Sequence, residues 1–125
     1  MDIQESGEMY LESLLILSKE KNTVRAIDIA EFMNFSKASV SRALSKLKEG
    51  RFILVDGDGY IAFTEKGRAI AESIYERHTL LTEYFIRIGV DEKTASADAC
   101  KIEHVISEET FSAIKKHAAE FAKKK

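Results

Sequence analysis

A short helix, a tight turn and a basic helix follow one another in the first half of the chain, and this pattern constrains the fold most. Apolar residues recur at helical spacing in residues 27–32 and again in residues 40–47. Asn34-Phe35-Ser36 separates the two stretches, and Ser36 is a residue type that favours the position before a helix. The segment therefore predicts a helix-turn-helix.

The hydrophobic pattern changes directly after the second helix. Residues 52–55 and 60–63 are short apolar runs typical of strands, and Asp56-Gly57-Asp58-Gly59 between them is a hairpin turn signal. Asp56 and Asp58 also resemble the start of a calcium-binding loop, but the further oxygen ligands and the closing Glu of such a loop are absent. A hairpin after a basic helix predicts a winged helix-turn-helix.

Positive charge is concentrated near this second helix, although the whole chain has a formal net charge of −2. Residues 36–51 contain five basic residues and one acidic residue. A basic helix alone is more often a solvated surface, but the wing, the serine-rich helix start and the preceding short helix favour DNA binding. We expect Arg42 to read a guanine and Lys46 to contact a phosphate. The residues expected to contact DNA are Ser36, Lys37, Ala38, Ser39, Ser41, Arg42 and Lys46.

The second half of the chain has helical spacing throughout. Thr64 can cap a long helix, and Asp91 and Ser107 can cap two more. The expected fold class is mainly α with a small β wing, a winged helix-turn-helix followed by a C-terminal helical dimerisation domain. We place the winged helix-turn-helix domain at residues 1–73 and the C-terminal helical domain at residues 74–125.

The last predicted helix carries an apolar stripe with a spacing of three and four residues. In a chain too short to bury every apolar face internally, such a stripe is a natural homodimer interface. The residues of this expected interface are Phe111, Ile114, Ala118 and Phe121.

Cys100, Glu103 and His104 bring three metal-ligand chemistries into five residues. If the segment is helical up to Ser107, positions three and four apart place a thiolate, a carboxylate and an imidazole on one face. This is an incomplete metal site, since further ligands must come from elsewhere. Each residue alone has an ordinary explanation, such as core packing or solvent exposure. The candidates for the missing ligands are Met9, Glu12 and His78.

The composition is that of an ordinary globular chain, with 125 residues, 45% hydrophobic and 32% charged. A single Cys excludes an intramolecular disulfide and fits a reducing compartment. No apolar run is long enough to span a bilayer, and the N-terminus lacks the features of a signal peptide. We expect a cytoplasmic protein that does not contact membranes.

These motifs together resemble the diphtheria-toxin-repressor family of metal-dependent bacterial regulators. The resemblance covers nearly the whole chain, and its most specific part is the Glu-His pair after Cys100, in combination with Met9 and His78. It implies an N-terminal winged helix, a helical dimerisation domain and metal sites between them. In length the chain resembles the manganese transport regulator branch, which lacks the third, SH3-like domain of other members. The motifs that carry the resemblance are Met9-Tyr10-Leu11, Ser36 to Ser41, Thr64-Glu65-Lys66-Gly67, Arg77-His78, Ile88 to Asp91 and Ala99 to Ser107.

The resemblance implies a ligand set that mixes two branches of the family. Matched to the iron-responsive branch, the DNA-activating site contains Met9, Cys100, Glu103 and His104, and His78 belongs to an ancillary site. Thr82 and Ser96 stand where that ancillary site would have a Glu and a His, which argues against it.

Matched to the manganese branch, all these positions and Glu12 belong to a two-metal cluster. Met9 then replaces an aspartate and Cys100 replaces a glutamate. Because sulfur ligands favour later divalent ions over Mn²⁺, the sequence favours Fe²⁺ over Mn²⁺ as the cofactor. Other divalent transition metals are expected to bind in vitro.

The expected function is that of a metal-dependent transcriptional regulator, a repressor of metal-ion homeostasis genes. Fe²⁺ or Mn²⁺ bound between the two domains would activate a homodimer for binding to a palindromic operator in double-stranded DNA. One alternative is a metal-independent winged-helix regulator that senses oxidation through Cys100 or binds a small apolar ligand. A metallohydrolase is less favoured, because no catalytic motif is present and we expect no enzymatic activity.

Overall fold

The computed structural model describes residues 5–123, and the side chains of residues 6–120. Mainly helical, with a small two-stranded wing, it confirms the expected fold class. The chain divides into two compact units, which meet in sequence at Ser73 and Ile74. None of the helices in the described residues has the length and apolar character to cross a membrane. The elements are α1 (Glu5–Glu20), α2 (Ala26–Met33), α3 (Lys37–Glu49), β1 (Ile53–Val55), β2 (Ile61–Phe63), α4 (Glu65–Arg87), α5 (Glu92–Ile102) and α6 (Glu108–Lys123).

The first unit contains α1, α2, α3, the wing and the start of α4, and α1 packs against α2 and α3. Their apolar faces converge because each helix repeats apolar residues every three or four positions. Helix α2 ends at Asn34, which has the left-handed conformation that Asn tolerates better than most residues. The Ser36 hydroxyl accepts a hydrogen bond from the N–H of Ser39 at 3.1 Å and so starts α3. Buried residues of these three helices include Leu11, Leu14, Leu15, Ile29, Val40, Leu44 and Leu47.

The wing is an antiparallel hairpin, and burial changes from one residue to the next along each of its two strands. Ile53 pairs with Phe63, and Val55 pairs with Ile61. Ile61 is buried and donates its N–H to the Val24 carbonyl at 2.8 Å, whereas Leu54 is 59% exposed. In the turn, the Asp56 carboxylate accepts hydrogen bonds from the N–H groups of residues 58 and 60. Asp56 therefore stabilises a turn, as expected.

The start of α4 is bonded tightly to the end of α3. The Thr64 hydroxyl donates to the Arg51 carbonyl at 2.7 Å and accepts from the N–H of Gly67 at 3.1 Å. A Cβ atom at Gly67 would lie only 1.9 Å from the Phe52 carbonyl oxygen. Glycine is therefore required at this close approach of two backbone segments.

The second unit contains the rest of α4 together with α5 and α6. Its core is Leu81, Ala99 and Phe111, one residue from each helix. Phe111 is only 4% exposed, and Ile114 packs against the same cluster. This burial does not fit the expectation that Phe111 faces a partner protomer, because its ring is already used inside the unit. The side chain of Phe121 lies outside the described residues.

Candidate metal centre and DNA-binding surface

Helix α5 ends at Ile102, whereas the metal-site hypothesis expected the helix to include His104. Glu103 and His104 lie in the following turn. The Glu103 side chain is fully buried and that of His104 is 1% exposed, whereas Cys100 is exposed on α5. The single helix face expected for all three side chains stays a prediction for Cys100, which is exposed. The structure brings Glu103 and His104 together.

Each oxygen of the Glu103 carboxylate faces an imidazole ring. His78 Nδ1, on α4, forms a hydrogen bond with Oε2 at 2.9 Å. Oε1 lies 3.2 Å from His104 Nε2, but it makes no hydrogen bond among the described residues. Burying a carboxylate oxygen in this way costs free energy unless a proton or a cation compensates it.

This donor pair fits a divalent metal ion. Two ligands that each lie at about 2.1 Å from a cation and at roughly a right angle are about 3 Å apart. The separation of Glu103 Oε1 and His104 Nε2 is of this size. Carboxylate and imidazole are also the donor types that Mn²⁺, Fe²⁺ and Zn²⁺ accept. The buried pair can therefore supply two ligands to one ion.

The same hydrogen bond alters the ionisation of His78. The Glu103 carboxylate raises the pKa of His78, while partial burial of the ring acts in the opposite direction. His78 also fixes the orientation of the carboxylate, as groups that support metal ligands commonly do.

The other two candidate ligands belong to the first unit, on α1. Met9 is half-buried, and Glu12 is 9% exposed. Glu12 is thus a largely buried acid in the most apolar part of α1, beside Leu11 and Ser13. Its burial was not evident from the sequence, where an acid on a helix is more often solvated.

Arg77, the residue before His78, has a role that its sequence context does not predict. Its Nη1 donates to the carbonyl oxygens of Glu103 at 3.2 Å and Ile106 at 3.0 Å. Its Nη2 donates to the Glu108 carboxylate at 2.9 Å. Only the Arg77-His78 motif could have drawn attention to this residue, because its acceptors are 26 to 31 positions away.

The exposed face of α3 carries the residues expected to contact DNA. Val40, Leu44 and Leu47 point into the core, so the opposite face is left to solvent. Of the seven expected residues, Ser39 is half-buried and the others are exposed. The Arg42 guanidinium lies 3.5 Å from the Ser39 hydroxyl, on the first turns of the helix. In a helix-turn-helix, these turns are the part that enters the major groove.

Two family descriptions match the chain, one for each half. "Iron dependent repressor, N-terminal DNA binding domain" matches residues 2–62, and "Iron dependent repressor, metal binding and dimerisation domain" matches residues 64–124. The chain belongs to the iron-dependent repressor family. This is the family named from its diphtheria-toxin-repressor members, so the resemblance seen in the sequence is confirmed.

Individual relatives agree with this membership. The chain is 31% identical over 115 residues to an uncharacterized HTH-type transcriptional regulator, MJ0568, of Methanocaldococcus jannaschii, covering 90% of this chain and 92% of that protein. It is 33% identical over 109 residues to the iron-dependent repressor IdeR of Mycobacterium tuberculosis, covering 86% of this chain and 47% of IdeR. The solved structure of the manganese regulator SloR has a TM-score of 0.79 at 25% identity, covering 94% of this chain and 54% of SloR. The chain thus spans about half the length of IdeR and SloR.

Membership of the iron-dependent repressor family decides between the functional hypotheses. The family consists of metal-dependent transcriptional repressors that bind DNA and dimerise through the C-terminal domain. This supports the metal-dependent regulator over the metal-independent alternative. The relatives named above are transcriptional regulators rather than enzymes.

Proposed function

We propose that this protein is an Fe²⁺-activated repressor of metal-ion homeostasis genes that acts as a homodimer on a palindromic operator in the cytoplasm. The observation that carries the proposal is the buried pair formed by Glu103 and His104, with Glu103 Oε1 lacking a hydrogen bond among the described residues. A cation bound there would compensate the negative charge of the buried carboxylate.

The proposed ligands differ in what supports them. Glu103 and His104 are supported by their geometry, and His78 by its contact with Glu103. Glu12 is supported by its burial, which suits a ligand better than a solvated surface acid. Met9 and Cys100 rest on the family resemblance alone, and Cys100 is exposed in the structure.

The choice of Fe²⁺ depends on the two sulfur residues. Nitrogen and oxygen donors alone suit Mn²⁺ as well as Fe²⁺, whereas a thiolate and a thioether shift the preference towards Fe²⁺. Relatives include an iron-dependent repressor and a manganese regulator, so family membership does not choose the metal. The ligand chemistry of Met9 and Cys100 is therefore the basis for preferring Fe²⁺.

Metal binding would act by shifting a conformational equilibrium. In the mechanism that the family resemblance implies, a bound ion would restrict how a dimer presents its two α3 helices to DNA. Half-sites of such operators lie about one helical turn, roughly 34 Å, apart. By linkage, the metal raises DNA affinity by the same factor by which DNA raises metal affinity.

The test of the proposal is the metal dependence of operator binding in His104→Ala. We expect this variant to remain folded and dimeric but to lose the metal-induced gain in DNA affinity, measured anaerobically by fluorescence anisotropy with Fe²⁺, Mn²⁺, Co²⁺ and Zn²⁺. His117→Ala is the matched control, because it removes the imidazole on α6 that contacts Tyr84 and should keep the full metal response. Full metal-dependent binding by His104→Ala would refute the proposed centre.

The metal preference needs a separate experiment. In Met9→Asp/Cys100→Glu the site would contain only oxygen and nitrogen donors, so the ion that best activates DNA binding should change from Fe²⁺ to Mn²⁺. If the order of the ions is the same in this double variant and in the wild type, the sulfur residues do not select the metal.

A further inference from the structure

We infer that Arg77 is a positioning residue that holds the turn carrying Glu103 and His104 in the arrangement required for metal binding. This inference rests on the proposed metal centre. It adds to that centre a residue that touches no metal and acts on the backbone of the ligands instead.

Arg77 donates hydrogen bonds to backbone carbonyls near the end of α5. At the C-terminal end of α5, backbone carbonyls have no N–H partner within the helix, and they need donors from elsewhere when they are screened from water. Arg77 Nη1 donates to the carbonyl of Glu103, the residue directly after α5, and to that of Ile106, between α5 and α6. A planar guanidinium bonds these two oxygens from one nitrogen and a carboxylate from another, whereas an ammonium group has a single nitrogen for all its donors.

Two consecutive residues of α4 bind the backbone and the side chain of Glu103. Arg77 binds the backbone carbonyl of Glu103, and His78 binds its side-chain carboxylate through Nδ1. Both the backbone and the side-chain torsions of Glu103 are therefore restricted. His104 is the next residue, so fixing the Glu103 backbone also limits where its imidazole can lie.

Arg77 is largely buried, and an acidic residue balances its charge. Its side chain is 14% exposed and its guanidinium lies 5.4 Å from the centre of the Phe111 ring. Glu108, at the start of α6, supplies the compensating charge at 2.9 Å. A charged group this screened is costly to bury unless its bonds are kept, so the turn from Glu103 to Glu108 is held in one conformation.

A purely structural role for Arg77 is the alternative, since its bond to Glu108 also ties α4 to α6. The chain offers a matched control for that role. Lys115 and Glu76 form a second ion pair between the same helices at 3.0 Å, but about half of each side chain is exposed. Glu76→Gln therefore removes a tie between α4 and α6 without touching the turn.

The experiment measures Co²⁺ binding by calorimetry and by visible absorption in Arg77→Met, Arg77→Lys and Glu76→Gln. We expect Arg77→Met to lose about 10-fold or more in Co²⁺ affinity and to change the absorption bands that report ligand geometry. Arg77→Lys should show a smaller loss, and Glu76→Gln should match the wild type. Where Arg77→Met does not fold, Arg77→Lys and Glu108→Gln carry the test.

Hydrogen exchange of the metal-free proteins gives a readout that needs no metal. Amides of residues 103–107 should exchange faster in the Arg77 variants than in Glu76→Gln, while amides in the middle of α4 exchange at the wild-type rate. Equal exchange and equal Co²⁺ affinity in Arg77→Met and Glu76→Gln would overturn the inference.

His104→Ala separates this inference from the proposed function. Loss of Co²⁺ binding in His104→Ala, together with wild-type affinity and spectrum in the Arg77 variants, overturns the role of Arg77 and leaves the metal centre standing. Unchanged Co²⁺ affinity in His104→Ala overturns the metal centre, and the positioning role of Arg77 falls with it.

Discussion

At the scale of single residues, Gly67 shows how one missing side chain permits a junction between elements. Any Cβ at this position would overlap the Phe52 carbonyl, which belongs to the chain leaving α3. The backbone cannot move away freely, because Thr64 bonds both to Arg51 and to Gly67 itself. Gly67→Ala should therefore lower the free energy of unfolding by about 1–3 kcal/mol, as overpacking in a tight contact does.

Urea denaturation of Gly67→Ala and Gly57→Ala measures this effect. Gly57 lies in the wing turn, where a Cβ would meet no atom within 4 Å, so its substitution should change stability by less than about 0.5 kcal/mol. Equal midpoints for the two variants would show that the junction accommodates a side chain.

Cys100 and Glu103 mark the limit of what the sequence could predict at this scale. Ser36 and Asp91 cap helices in the structure as their residue types indicate. The end of α5 carries no such local signal, since neither Gly nor Pro follows Ile102 within the next four residues. The turn is stabilised by Arg77, which is distant in sequence, so a local pattern extended the helix beyond Ile102.

At the scale of elements, the start of α2 depends on an acid rather than on a conventional cap. The Asp28 carboxylate accepts a hydrogen bond from the N–H of Arg25 at 2.9 Å and one from Lys21 at 2.6 Å. These bonds, that of Lys21 first, lower the pKa of Asp28 from its ordinary value of 3.8. A carboxyl group whose pKa is lower in the folded state stabilises fully above its ordinary pKa, and loses this effect as the pH falls through the folded pKa.

Asp28→Asn tests this dependence on pH. At neutral pH the variant should be less stable than the wild type by about 1 kcal/mol, a typical effect of losing a helix cap. This difference should shrink as the pH falls below about 4, and Lys21→Met should reduce its pH dependence. Denaturation curves between about pH 2 and pH 7 measure it, and a difference that is constant with pH would contradict the assignment.

Helix α3 places its two most informative basic residues one turn apart, in different roles. Arg42 lies near the helix start, where a guanidinium can bond to the O6 and N7 atoms of one guanine, and Lys46 lies nearer the end. Arg42→Ala should cost about 1–3 kcal/mol at one base pair and relax the sequence preference there. Lys46→Ala should instead weaken binding to all sequences and flatten the salt dependence. Binding to a panel of operator variants distinguishes the two, and identical profiles would contradict both roles.

At the scale of the whole molecule, the apolar stripe of α6 shows why helical spacing alone cannot identify an interface. The spacing correctly predicted an amphipathic helix, but it could not tell which surface covers the apolar face. Phe111 is buried within the second unit, and Ile114 is partly buried against the same cluster. A charge at Phe111 would therefore unfold the unit rather than separate protomers, so dimerisation is better tested at an exposed apolar surface.

Exposed apolar residues of the second unit offer that surface. Ile88, just beyond the end of α4, is 62% exposed, and Val105 is 72% exposed. Because apolar side chains at a dimer interface lose contact with water only on association, a charge there should favour monomers. We expect Ile88→Glu to be monomeric and to bind the operator weakly, since one protomer contacts only one half-site.

Sedimentation velocity with and without metal measures the oligomeric state, and Leu54→Glu is the matched control. Leu54 is similarly exposed at 59%, but it lies on the wing in the DNA-binding half of the chain. Leu54→Glu should remain dimeric with and without metal, because Leu54 lies outside the second unit and we expect the dimer to persist without metal. A dimeric Ile88→Glu would exclude this surface, and a wild type that is monomeric in both conditions would mean that operator half-sites are bound independently. Metal could then not act by setting their spacing.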